Sequence, residues 1–292
     1  MLSDLASAAA TRGLELHPDK TKILSNLQHR HGEGKKKHAD VGGMKVEILP
    51  LEASTKYLGR DVSLKDPHSV ELQNRIRYAW RKFHANKNVL CNKAHDLDKR
   101  LKLFDSIITP TVMYGAGCWV MTKEAESRLS KTQRRMLRSM CQYGRKVLRA
   151  EPPPAQADES DSSKSHSSHE ILSDIENEEL EPWHEWVQRV THAVESKMEK
   201  VGVANWIQTQ RSKFFRWAGH VARYSDERWT IRILNWTPRI GQGRRPRARP
   251  WKRWSDSLGD FVKARLGTRE WQVVAQDRER WSRLEREFSK LK

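Results

Sequence analysis

From Pro67 onward the apolar residues recur every three or four positions, and this period limits most of the chain to amphipathic helices. Leu72, Ile76, Trp80 and Phe83 line one helical face, and Leu101, Phe104 and Ile108 line a second that should end near Pro110. Thr122 is a candidate N-cap for a third helix, with Glu124 in its first turn. There Leu129, Met136, Leu137 and Met140 face inward, and Arg134, Arg135 and Arg138 lie opposite. Pro182 suits the first position of a fourth, striped by Trp183, Trp186, Val187, Val190, Val194 and Met198. Ile207, Phe214, Trp217 and Val221 give a fifth. Pro250 should open a sixth carrying Trp251, Trp254, Leu258, Phe261 and Val262. Thr268 should cap a last one, in which Trp271, Val274, Trp281, Leu284, Phe288 and Leu291 repeat. That terminal stripe can pack inside its own domain, the preferred reading, or dock a protein partner through 268–291.

The first 64 residues follow another pattern. Residues 1–12 read as a short helix ended by Gly13. Leu14 and Leu16 alternate as in a strand, Pro18-Asp19 makes a turn, and Ile23-Leu24 suggests a second strand. Residues 26–43 are polar and glycine-rich, hence a loop. Val46, Ile48 and Leu49 form a further strand, and Tyr57-Leu58-Gly59 sits in a hairpin-like setting. Residues 150–181 hold ten acids against one lysine. Such a composition cannot offset the entropy of ordering, so a disordered linker is expected there.

The chain's net charge of +18 fits a nucleic-acid or anionic-surface partner. No apolar run approaches the roughly 20 residues of a membrane span, and no signal peptide is expected, because Asp4 interrupts a weak, Ala-rich start. Three widely spaced cysteines, Cys91, Cys118 and Cys141, argue against a disulfide framework. Cys91 and His95 lie one helical turn apart and His29 and His31 share a loop, but no second pair completes a zinc site.

The positive charge is concentrated between Arg211 and Trp254, where thirteen lysines and arginines face only Asp226 and Glu227 and five tryptophans are interleaved. Guanidinium groups fork onto phosphates, and indoles offer faces to bases. Arg211, Arg216, Arg223, Arg244, Arg245, Arg247, Arg249, Lys252 and Arg253 are therefore candidate phosphate ligands, with Arg134, Arg135 and Arg138 beside them. Trp251 or Trp254 is the candidate base-stacking residue. Helical spacing makes Trp217, Trp229 and Trp236 mainly core. The run Arg244–Arg253, broken by glycine and proline, is no helix face and favours nucleic acid.

Several stretches, in order, resemble the reverse transcriptases of non-LTR (LINE-type) retrotransposons. GLELHPDKTKIL followed by YLG resembles the end of the palm. ELQNRIRYAWRKF, KRLKLFDSIITPTVMYGAGCWVMT and LSKTQRRMLRSMCQ resemble the helical thumb, and the RWAGHVAR to AQDRERW region resembles the basic tail behind it. The resemblance implies that Gly13 and Lys20 belong to an element near the nucleotide site, where a lysine neutralises phosphate charge or protonates pyrophosphate. It also implies that Tyr57, Leu58 and Gly59 form the hairpin that grips a primer end. The family's metal-holding aspartates are not matched: there is no Tyr-x-Asp-Asp turn, and Asp4, Asp19, Asp61 and Asp66 are scattered. Polymerisation by this chain alone is not expected, nor is a cofactor; Mg²⁺ would enter only with a catalytic palm supplied from elsewhere.

The expected fold is mainly α with a small β-hairpin region: a residual palm edge over 1–64, a thumb-like helical unit over 65–149, the acidic linker over 150–181 and a basic Trp-rich helical domain over 182–292. The expected function is RNA or DNA binding without catalysis, with no membrane partner and, by resemblance, a nuclear location. Three alternatives stay open: part of an active polymerase, a protein-interaction adaptor, and the product of a decayed element.

Overall fold

A computed structural model of the chain describes residues 2–17, 19–25, 38–41, 43–148, 179–226, 229–235 and 253–291. Helix α1 (Leu2–Ala10) ends where Gly13 takes φ +69°, with Gly13 and Leu14 donating to Ala10 O and Ala9 O. Residues 14–17 pair with no other strand, contrary to the alternation read there. A small mixed sheet follows: β1 (Lys22–Leu24), β2 (His38–Val41) and β3 (Met44–Leu49), with β3 central, parallel to β1 and antiparallel to β2. Strand β2 falls inside the stretch expected to be loop. Its turn is closed by Asp40 Oδ1 accepting from Gly43 N–H at 2.9 Å, with Gly43 at φ +82°. Strands β4 (Ser54–Tyr57) and β5 (Arg60–Ser63) form the hairpin expected at Tyr57-Leu58-Gly59.

Helix α2 (Pro67–Ala85) starts at Pro67 with Asp66 accepting from Ser69 N–H at 3.1 Å. Helices α3 (Lys87–Leu90) and α4 (Leu97–Val112) follow. Helix α4 runs through Pro110 rather than ending at it; a proline in the final turn forfeits a single backbone bond close to where bonds fray anyway. A 3-10 turn (Ala116–Cys118) leads to α5 (Lys123–Cys141), where Thr122 Oγ1 accepts from Ala125 N–H at 3.1 Å as the sequence indicates.

Short strands β6 (Val147–Leu148) and β7 (Glu179–Leu180) pair across the acidic segment. Residues 150–178 of the expected disordered linker lie outside the described residues, but its last three are ordered. Glu181 is buried, paired with Arg189 at 2.6 Å, and accepts from Lys146 N–H. Pro182 caps α6 (Trp183–Val201) rather than opening it, and Trp183 is exposed instead of joining the stripe. Then come α7 (Trp206–Ala222), α8 (Trp229–Asn235), α9 (Asp256–Leu266), α10 (Trp271–Val274) and α11 (Arg278–Ser289). Residues 250–252 lie outside the described residues, and α9 starts at Asp256 rather than at Pro250, with Trp254 in the turn before it. The single terminal helix is split in two because Asp277 accepts from Arg280 N–H at 3.0 Å and caps a new start.

Two apolar cores result. The first joins α2–α6 and the first residue of α7 around Phe83, Leu101, Phe104, Leu129, Met136, Val190, Val194 and Trp206. Trp206 is fully buried, stacks on Phe104 at 5.8 Å and donates from Nε1 to Thr109 Oγ1 at 3.0 Å. The second joins the far half of α7 to α9–α11 through Phe214, Phe215, Leu258, Phe261, Trp281 and Phe288. Helix α7 is thus the shared spine, and α6, grouped by sequence with the tail, packs with the thumb-like helices.

Candidate nucleic-acid interface

The hairpin tip is the most exposed large apolar point among the described residues of the first half of the chain. Tyr57 pairs with Arg60 across a two-residue turn in which Leu58 has φ +48° and Gly59 φ +75°. Two consecutive positive φ angles make a type I′ turn, which matches the right-handed twist of a hairpin. Leucine rarely adopts this conformation, so the surroundings must hold it. Tyr114 Oη donates to Leu58 O at 2.8 Å, and Arg75 Nη2 donates to Gly59 O. A Cβ on Gly59 would meet the Tyr114 hydroxyl at 3.4 Å and its ring at 3.6 Å. Beneath the turn, Glu71 is fully buried; it accepts from Arg75 Nε at 2.7 Å and Asp61 N–H at 2.8 Å, and lies 3.6 Å from Arg60 Nε. The tip itself faces outward, with Tyr57 67% and Leu58 75% exposed.

Beside the tip, α2 and β4 gather cations around the half-buried Tyr78. Lys56 Nζ, Arg75 Cζ, Arg77 Cζ and Arg81 Cζ all lie 5.6–5.9 Å from its ring centroid. Arg75 is committed to Glu71, but Lys56, Arg77 and Arg81 are exposed. Sequence reasoning passed over these three. The i, i+4 spacing of Arg77 and Arg81 within RIRYAWRK was the available signal.

The cations named from sequence are mostly engaged. Arg134 pairs with Glu195 at 2.7 Å, Arg211 with Glu126 at 2.9 Å and Arg216 with Glu285 at 2.8 Å. The hydrogen bond to Glu285 holds the Arg216 pKa above its ordinary value. Arg135 lies over the Trp80 ring at 5.6 Å. Arg138 donates to Thr191 Oγ1 at 2.9 Å; burial first, and then neighbouring Arg134 and Arg135, push its pKa below the ordinary arginine value. Arg223 donates to Ala275 O at 2.7 Å and Arg253 to Leu234 O at 3.3 Å. Trp254 meets Phe214 and Trp271 edge-on and donates from Nε1 to Gly117 O at 3.1 Å, so it belongs to the second core. Trp217 is half-buried, as expected, whereas Trp229, also read as core, is exposed. Lys20 is exposed near α1, and Gly13 is that helix's terminus. Arg244, Arg245, Arg247, Arg249, Trp251, Lys252 and Trp236 lie outside the described residues.

The fold nevertheless brings the base of the basic run toward the hairpin. Residues 114–117 touch both: Tyr114 holds the tip, a Cβ on Gly115 would meet the Arg60 side chain at 3.1 Å, and Gly117 O receives the Trp254 indole. The Arg253–Leu234 bond brings the two ends of the segment 236–252 close together. The terminal stripe packs within its own domain, the preferred reading: Trp281 and Phe288 enter the second core, with Trp281 stacked on Phe215 at 4.0 Å. No helix among the described residues is long and apolar enough to cross a membrane.

No protein-family model matches the chain, and no solved structure matches it. It is 26% identical over 285 residues to a putative uncharacterized transposon-derived protein of Caenorhabditis elegans, a match covering 96% of this chain and 86% of that protein. The likeness is consistent with a transposon-related origin.

Proposed function

We propose that this chain binds RNA or DNA as a non-catalytic derivative of a LINE-type retrotransposon reverse transcriptase, acting in the nucleus where such elements are copied. The observation that carries the reading is the exposed tip Tyr57-Leu58 beside the exposed cations Lys56, Arg77 and Arg81. Cations of this kind contact phosphates, and the apolar tip contacts sugars or an end base pair. The tip coincides with the YLG element that resembles a primer-gripping hairpin, and the transposon-derived relative spans almost the whole chain. The sequence contains no adjacent aspartate pair, so the strand is held rather than extended.

Fluorescence anisotropy with labelled single strands, DNA duplex and RNA–DNA hybrid, over a salt series, tests this. Each phosphate contact contributes roughly 0.9 to the slope of log affinity against log salt on duplex and roughly 0.7 on single strands. The variant Lys56→Ala/Arg77→Ala/Arg81→Ala should therefore flatten the duplex slope by about 2–3 while keeping its circular dichroism. A slope left unchanged by this variant, or wild-type binding indifferent to salt, removes the proposal.

A further inference from the structure

Most tryptophans in the described residues are accounted for by packing. Trp186, Trp206, Trp254 and Trp281 each donate their indole N–H to a protein oxygen: Tyr143 O, Thr109 Oγ1, Gly117 O and Phe215 O. Trp183 leans on Trp186 at 4.6 Å. Trp183 is 64% exposed with that ring beside it, whereas Trp229 meets no other aromatic ring among the described residues. It stands on α8, in which no residue is buried, and is 73% exposed. Ile233, one turn further on, is 66% exposed. Arg232 places its guanidinium carbon 5.6 Å from the Trp229 ring centroid. An indole left in water forfeits one of the largest hydrophobic gains available to a side chain, and such patches commonly mark contact surfaces.

The charge around α8 selects the occupant. Arg228 precedes it, and Arg239, Arg244, Arg245, Arg247, Arg249 and Lys252 follow it in sequence with no acid among them. An exposed apolar ring beside Arg232, on a stretch of sequence this rich in arginine, suits a polyanion that carries flat faces. Duplex bases present only their edges, whereas an unpaired base offers its π-face. We propose that Trp229 is the stacking platform for an unpaired nucleobase of a single-stranded RNA or DNA, with Arg232 and Ile233 completing the patch. The proposal rests on the nucleic-acid reading above and deepens it by naming the substrate class. It also moves the stacking role from Trp251 or Trp254 to a residue that the helical spacing assigned to the core.

The test uses the full chain, with oligo(dT) and a blunt duplex of equal length as probes over the same salt series. Trp229→Ala should weaken oligo(dT) binding by about 5- to 100-fold, leave duplex binding and the single-strand salt slope within twofold, and keep the thermal midpoint. Trp229→Phe, which retains a π-face, should recover most of the loss. Unchanged oligo(dT) affinity in Trp229→Ala, with salt-dependent binding intact, overturns the stacking role and leaves the phosphate-binding reading standing. So does an equal loss on duplex. A change in oligomeric state without a change in oligo(dT) affinity would assign the patch to self-association and likewise overturn the proposal. Absence of binding by the wild-type chain defeats both readings.

Discussion

Replacing Glu71 by glutamine should release the hairpin tip. The native carboxylate is fully buried and joins three groups from two elements: Arg75 on its own helix, and Arg60 and the Asp61 N–H on β5. Arg75 is itself 7% exposed and donates onward to Gly59 O, which helps hold Leu58 and Gly59 at positive φ. Glutamine keeps the shape but removes the charge and turns one oxygen into a donor. Arg75 or the Asp61 N–H then faces an NH₂ group. Breaking a buried ion pair by altering one partner costs about 3–5 kcal/mol. At about 1.4 kcal/mol per tenfold, local opening of the hairpin should become roughly 10²- to 10³-fold more frequent. Amide hydrogen exchange reports it: protection over residues 54–63 should collapse, while α11 in the second core should change little. Nucleic-acid affinity should fall with it, since the tip loses its set conformation. The double variant Glu71→Gln/Arg75→Met removes the stranded cation and should lose less than the sum of the single changes, by more than about 1 kcal/mol. Unaltered protection over 54–63 in Glu71→Gln, or strict additivity in the double variant, would refute this account.

Two further substitutions probe packing and charge. Gly219→Ala, in the last turn of α7, would ordinarily favour a helix by up to about 1 kcal/mol. Here the new Cβ would lie 2.6 Å from the Trp281 ring, so a destabilisation of about 1–3 kcal/mol should appear in chemical denaturation. The β6–β7 clasp should be acid-sensitive. The hydrogen bond from Arg189 lowers the Glu181 pKa from 4.5 to about 2, and the Lys146 N–H also lowers it. A depressed folded-state pKa contributes stability above pH 4.5 that is lost as pH falls toward 2. The thermal midpoint should therefore drop across that window in the wild type and less steeply in Glu181→Gln; parallel pH profiles would count against the clasp.

The sequence read well where one helix supplies its own evidence. Thr122 caps its helix as its neighbours indicate, and Leu129, Met136 and Met140 are fully buried at the positions their spacing sets. It misled where a local signal competed with a distant partner. The loop at 26–43 hides β2, whose glycine-rich turn into β3 was a hairpin signal passed over for composition. The type I′ turn at Leu58-Gly59 lacks the Asn-Gly pair that announces such turns, because Tyr114 and Arg75 stabilise it from elsewhere.

The sequence by itself determined a mostly helical chain, the start of α5 at Thr122, and a large excess of positive charge. Those properties follow from local periodicity, local capping and counting. Only the tertiary structure decided which cations remain in water. Arg134, Arg211 and Arg216 find their carboxylates 61, 85 and 69 residues away, and Trp206 finds Thr109 97 residues away. A side chain's availability depends on what folding brings within about 3 Å of it. Separations of that length leave no periodic trace, so Arg77, Arg81 and Trp229 emerged as exposed candidates only once the helices had been packed.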